Sequence, residues 1–119
     1  MNRRRVAAER QGRRGERAAE LWLRAMGWSI LDRRRKTPAG EIDLVARSGG
    51  TVVFVEVKWR ARAADLDHAI DEYRLRRVAA AAEMVAHEYA ANGDDMRVDV
   101  ILLAPRSLPR HIVNAWQPY

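Results

Sequence analysis

At 119 residues, 48% hydrophobic and 32% charged, the chain has the composition of one compact globular domain and not of a disordered segment. It contains no cysteine, which excludes disulfides, thiolate metal sites and cysteine nucleophiles. The net charge is +6 and uneven: residues 1–36 carry 12 Arg/Lys against 4 Asp/Glu, leaving 10 against 12 for the remainder. A basic end of this kind is the footprint of a polyanion binder, although an arginine-rich solubilising surface has the same composition. No apolar run approaches the length of a bilayer crossing, and the basic start Asn2-Arg3-Arg4-Arg5 lacks the apolar segment of a signal peptide. These features predict a cytoplasmic protein with no membrane partner.

In chain order, residues from about Val6 to Met26 read as a helix rich in Ala, Glu, Arg and Leu, with Ala19, Trp22, Leu23 and Met26 on one apolar face. Gly12 and Gly15 interrupt it, so the helix is expected to start near one of them, with residues 1–11 as a mobile basic arm. Gly27 ends it. Glu16 shares the core-facing stripe or its edge. On local grounds it is an acid near a helix N-terminus, where the macrodipole favours it. Trp28 to Asp32 reads as a short strand, Arg33-Arg34-Arg35-Lys36 as a basic turn able to grip phosphates, and Thr37-Pro38-Ala39-Gly40 as a loop. Glu41–Ala46 and Val52–Lys58 form a hairpin whose tight turn is Gly49-Gly50.

A long helical pattern then runs from about Leu66 to Ala91, with Ile70, Tyr73, Arg77, Ala80 and Met84 among its repeats and a stop at Asn92-Gly93. Arg74, Arg76 and Arg77 either reach phosphates or coat a solvent face. Val98–Leu103 is an apolar strand broken by Asp99, and His111–Trp116 a last short strand. Asp99 reads as a structural aspartate on an edge strand and His111 as a hydrogen-bonding residue at a sheet end. The whole chain, residues 1–119, is one domain of α/β class, a mixed central sheet flanked by helices.

The chemistry lies in the hairpin. Residues two apart share a face of a strand, and a two-residue turn pairs Ser48 with Thr51. Counting back places Asp43 opposite Glu56 and Glu41 opposite Lys58. The second pair is favourable and the first is not, since opposed like charges want a cation or a shared proton. A divalent ion with oxygen ligands, Mg²⁺ or Mn²⁺, answers that need, and the Val57 carbonyl is a further ligand candidate. Lys58 is then placed to orient the attacking water and to offset charge on a phosphate. Ile42, Leu44, Val53, Val55 and Val57 make the opposite face apolar, so unpaired carboxylates here would be buried at high cost.

An Asp on one strand and Glu-x-Lys on the next, after a helical glutamate, resembles the PD-(D/E)XK nuclease superfamily. Gly12 to Glu16 (Gly-x-x-Gly-Glu), Gly40 to Ala46, Val53 to Arg60, Arg97 to Ile101 and His111 to Ala115 resemble, more closely, the small bacterial YraN family, an endonuclease-like family similar to archaeal Holliday-junction resolvases. The resemblance covers nearly the whole chain. It implies a restriction-endonuclease-like core, Asp43 and Glu56 as metal-binding acids, Lys58 as the catalytic lysine and Glu16 as a helical acid completing the site. Two positions depart from the pattern: Ile42 precedes Asp43 where the superfamily often has Pro, and Tyr73-Arg74-Leu75-Arg76-Arg77 stands where relatives more often show lysine.

The expected activity is metal-dependent hydrolysis of phosphodiesters in DNA, at branched or structured sites. Arg13, Arg14, Arg34, Arg35, Lys36 and Arg60 are the expected nucleic-acid contacts. A two-fold junction needs two active sites and hence a homodimer. The alternatives are a nucleic-acid-binding module that keeps the fold without turnover, and a scaffold whose basic end meets an acidic partner.

Overall fold

The structure, a computed structural model, describes residues 2–91 and 93–116. Helix α1 (Arg3–Ala25) is followed by strands β1 (Ser29–Thr37), β2 (Gly40–Ser48) and β3 (Thr51–Trp59). A 3-10 turn (Ala63–His68) leads to helix α2 (Glu72–Tyr89), then to strands β4 (Asp95–Leu103) and β5 (Arg110–Ile112). The strands form one five-stranded sheet in sequence order. β3 and β4 run parallel because α2 crosses between them, and every other pair is antiparallel. Mixed and helix-flanked, the sheet has the expected architecture.

The sheet is covered on both faces. Ala19 and Leu23 of α1 pack with Leu44, Ala46, Val53, Val55, Ile101 and Leu103. Leu75, Val78, Ala82 and Val85 of α2 pack with Ile42, Val45, Val52, Phe54, Val98, Val100 and Leu102. The two central strands therefore read as nearly unbroken apolar runs, as strands buried on both faces do. No helix among the described residues is long and apolar enough to cross a membrane.

Several boundaries differ from the sequence expectation, each for a local reason. α1 starts at Arg3, not near Gly12 or Gly15, because the Asn2 side chain accepts the Arg4 N–H at 2.8 Å and caps the helix. Much of the expected arm, from Arg3 on, is thus helical. Gly15 lies against the sheet, where an added Cβ would stand 3.4 Å from the Trp59 Cβ. It lies inside α1 and does not mark a helix start. Gly27 does end α1, at φ +94°, but Met26 is exposed and leaves the apolar face one residue short.

Arg33–Lys36 is not a turn. These residues continue β1 and pair with Leu44–Glu41, so the strand is nine residues long. As the sheet edge it carries its charges outward, which also discourages strand-on-strand association. The long helical pattern divides: the Asp71 carboxylate accepts the Tyr73 and Arg74 N–H groups and opens α2 afresh after the 3-10 turn. The predicted repeats Tyr73, Arg77, Ala80 and Met84 face outward, and the packed stripe is Leu75, Val78, Ala82 and Val85. α2 ends at Tyr89, short of Asn92, which lies outside the described residues. Strand β5 is confined to Arg110–Ile112. Asp99 sits on β4, an interior strand and not an edge.

Candidate active site

The hairpin turn pairs Ser48 with Thr51 as counted, and the β2–β3 ladder runs regularly to Leu44–Val55. The expected pairs beyond it, Asp43 with Glu56 and Glu41 with Lys58, do not continue the ladder. Instead the Asp43 Oδ2 accepts the Val57 backbone N–H at 2.7 Å, so a side chain takes the place of a strand carbonyl. Lys58 ion-pairs with Glu56 of its own strand, Nζ to Oε1 3.2 Å, and not with Glu41.

The cause is a slip in side-chain alternation. Ile42 packs in the α2-side core while Leu44, two residues on, packs in the α1-side core. On β1, Arg33 and Arg34 both reach acids of α1, Glu20 and Glu16, whereas Arg35 bonds Glu88 and Tyr89 of α2. Arg34 has φ +50°, and Arg34 and Asp43 fall between the Arg33–Leu44 and Arg35–Ile42 pairs. A residue in the left-handed region rotates the strand and shifts the side-chain phase of the residues after it. The slip turns the Asp43 carboxylate towards β3 and opens a hollow of about 360 Å³ beside it. Asp43, Glu41 and Glu56 share this hollow with Tyr73, Arg74 and Arg77 of α2.

Its electrostatics are strained. Burial pushes the Asp43 carboxyl up to about 7, helped by the Glu56 charge and, less, by Glu16 and Glu41, against the Val57 hydrogen bond. Glu56 is 3% exposed. Its Oε1 lies 3.2 Å from both Lys58 Nζ and Arg74 Nη2, yet no hydrogen bond to it is aligned. The short distances and the missing alignment describe one situation, in which two cations neutralise the oxygen without satisfying it. An under-satisfied buried carboxylate beside a second, charge-crowded one is a hard-oxygen pair with an unmet need for positive charge. These two residues fit a divalent ion that keeps most of its own water. Among the described residues no group of three His, Asp or Glu side chains converges on a metal-sized point. Glu16 reaches Asp43 through its field only, and its Oε1 is held by Arg34 Nε at 2.9 Å.

A second hollow, about 470 Å³, lies on the α1 side and is lined by Arg13, Glu16, Arg17, Glu20, Arg33 and Arg34. Arg13 and Arg34 thus flank Glu16 as a basic rim, and Arg14 and Lys36 are exposed near its two elements. Arg60 follows β3, its backbone N–H bonded to the Leu103 carbonyl. Arg35 points away from both hollows, committed to Glu88 at 2.6 Å and 2.8 Å. An apolar hollow of about 250 Å³ between α2 and β4, lined by Phe54, Ala82, Met96 and Trp116 among others, holds no opposed acids and is remote from this chemistry.

The α2 contribution was the part least visible in the sequence. Arg74 and Arg77 stand on the outward stripe, where a solvent coat and a phosphate rim have the same spacing. Arg77 donates to the Ala39 carbonyl at 3.2 Å and so hangs over the β1–β2 turn.

A family model described as "Uncharacterised protein family UPF0102" matches residues 15–103. The chain belongs to the UPF0102 (YraN) family. It is 72% identical over 114 residues to a UPF0102 protein of Erythrobacter litoralis, covering 96% of this chain and 98% of the relative. A second UPF0102 protein, of Sphingopyxis alaskensis, is 66% identical over the same length and covers equal shares. Among solved structures, Hjc of Archaeoglobus fulgidus, a Holliday junction resolvase from an archaeal hyperthermophile, superposes with a TM-score of 0.57. The two share 22% identity, over 84% of this chain and 73% of that one. At that identity the likeness establishes fold: the UPF0102 chain has the restriction-endonuclease-like architecture.

Proposed function

We propose that this protein is a divalent-metal-dependent endonuclease that hydrolyses phosphodiester bonds in DNA, at branched or otherwise structured sites, in the cytoplasm. One observation carries the reading: a buried carboxylate, Glu56, and a half-buried one, Asp43, share an open hollow with Lys58 alongside and arginines at its rim. The resolvase fold and the basic N-terminal third support it. Asp43 and Glu56 would hold Mg²⁺ or Mn²⁺, with Glu16 joining once it leaves Arg34. When bound, the ion supplies Lewis-acid neutralisation of the charge that develops on the phosphate.

The chain's own groups do the rest. The Lys58 ammonium, fixed on β3 against Glu56, orients the attacking water and faces the phosphoryl oxygens. The water oxygen bonds to phosphorus and gives up a proton to solvent as the P–O ester bond breaks, and the leaving oxygen takes up a proton from solvent. Arg13, Arg14, Arg34, Lys36 and Arg60 contact backbone phosphates, and Arg35 joins them only by giving up Glu88. A two-fold junction is served by a homodimer with paired sites.

The test is incubation of the protein with plasmid, single-stranded and four-way-junction DNA in Mg²⁺ or Mn²⁺. Cleavage by wild type and not by Lys58→Ala is expected; equal cleavage by both, or by neither, overturns the assignment. A second reading, a binding module without turnover, draws on the arginines that already occupy Glu16 and Glu56. It predicts salt-dependent DNA binding with no Mn²⁺ uptake in calorimetry.

A further inference from the structure

Glu56 is served by two cations that differ in kind. Lys58 is strand-borne and its side chain is 14% exposed. Arg74 is helix-borne and its side chain is 56% exposed, although its Nη2 is as close to Oε1, at 3.2 Å. The backbone of Arg74 is pinned by the Asp71 cap at the start of α2, so its freedom lies in the side chain. Its contact with Glu56 has charge attraction and no aligned hydrogen bond, and therefore little to hold it in one orientation. The neighbouring Arg77 is anchored on the Ala39 carbonyl and forms the fixed part of the rim.

We propose that Arg74 is a transferable cation: it neutralises Glu56 while the carboxylate pair lacks a metal ion, and passes to a DNA phosphate when an ion takes Glu56. The inference rests on the metal-site reading above and adds a linkage to it. An incoming ion and the Arg74 guanidinium compete for one oxygen, so the ion binds against Arg74 and releases it at the mouth of the hollow. A released arginine there is a bidentate phosphate donor. Ion and DNA then promote each other's binding by a common factor, as linkage requires. Lys58 does not exchange, because leaving would strand a buried ammonium.

The experiment measures Mn²⁺ binding by calorimetry with no DNA present, on wild type, Arg74→Met, Arg74→Gln and Glu56→Gln. Arg74→Met and Arg74→Gln should bind Mn²⁺ about three- to tenfold more tightly than wild type, since the competitor is gone. Arg74→Gln keeps a hydrogen-bonding partner for Glu56 and serves if the Met variant does not fold. Fluorescence anisotropy with a labelled four-way junction supplies the second readout. Ca²⁺ should tighten binding of wild type more than of either Arg74 variant, so that the ratio of affinities with and without Ca²⁺ is the quantity compared. Mn²⁺ affinity unchanged or weakened in the Arg74 variants overturns the transfer, as does a loss of DNA affinity equal with and without Ca²⁺. If Glu56→Gln binds Mn²⁺ as wild type does, the metal-site reading itself fails. If Glu56→Gln loses Mn²⁺ and the Arg74 variants are unchanged, the transfer alone fails.

Discussion

Two aspartates stand within one sheet, Asp43 on β2 and Asp99 on β4, and their surroundings are opposite in sense. Asp99 is fully buried, yet each of its oxygens has donors: Arg97 Nε at 3.0 Å, the Asn114 N–H at 2.9 Å and His111 Nε2 at 2.7 Å. Burial works against its ionisation, but His111, Arg97 and the Asn114 N–H together hold its carboxyl below the usual range. Arg97 also stacks over Trp28, 5.3 Å from the ring centroid, so the cluster is packed as well as paired. Asp43 has one backbone N–H and three acidic neighbours, and its carboxyl is pushed up to about 7. A buried carboxylate with its donors in place serves the fold. One left short of positive charge is what the proposed metal site calls for.

The largest expected effect separates the two by function. Asp43→Asn and Glu56→Gln should lower metal-dependent cleavage about 100-fold or more, while Asp99→Asn, assayed well below its melting temperature, stays within a few-fold of wild type. Equal losses in all three would erase the distinction. Stability comes next and runs the other way. Asp99→Asn removes the charge and one of the two acceptor oxygens that Arg97 and His111 share, and should cost about 3 kcal/mol, seen as a fall of roughly 10 °C in Tm by calorimetry.

Acid and alkali sharpen the contrast. The raised folded value of Asp43 means that its contribution to stability is fully present below the unfolded carboxylate value, about 4, and lost as pH rises to about 7. Asp43→Asn should therefore be more stable than wild type at pH 8, by about 1–3 kcal/mol, and no more stable at pH 4. The depressed value of Asp99 has the opposite sign: its contribution is present above the unfolded value and fades as pH falls through the folded one. Urea melts across this window check both. The smallest effect is expected at Arg35, whose partly exposed pairing with Glu88 is worth about 1 kcal/mol or less. If Arg35→Ala instead weakens DNA binding severalfold with unchanged Tm, Arg35 belongs to the phosphate surface after all.

How far the sequence reached can be traced at particular residues. The hairpin was legible because Gly49-Gly50 permits one tight turn, and that sets the register as far as Leu44–Val55. Beyond it strict alternation failed at Asp43, which lies across from Arg34, a β1 residue at φ +50°, and no pattern within β2 announces the slip. The packed face of α2 stays open in the sequence, since Leu75-Val78-Ala82-Val85 and Tyr73-Arg77-Ala80-Met84 are both helical stripes and the sheet decides between them. Glu16 enters the candidate site through family resemblance alone. The local pattern offers an acid near a helix start, but α1 begins at Arg3 and Glu16 lies mid-helix, and its field on Asp43 depends on how α1 docks. Asp99 is hydrogen-bonded on both oxygens, but its strand was placed at an edge because the short β5 has a weak pattern.

The most direct test of the metal-site assignment is calorimetric titration of Mn²⁺ into wild type, Asp43→Asn and Asp99→Asn at pH 8. Saturable binding is expected for wild type and Asp99→Asn, and none for Asp43→Asn. Binding to Asp43→Asn as tight as to wild type, or loss of binding in Asp99→Asn while it remains folded, would contradict the assignment.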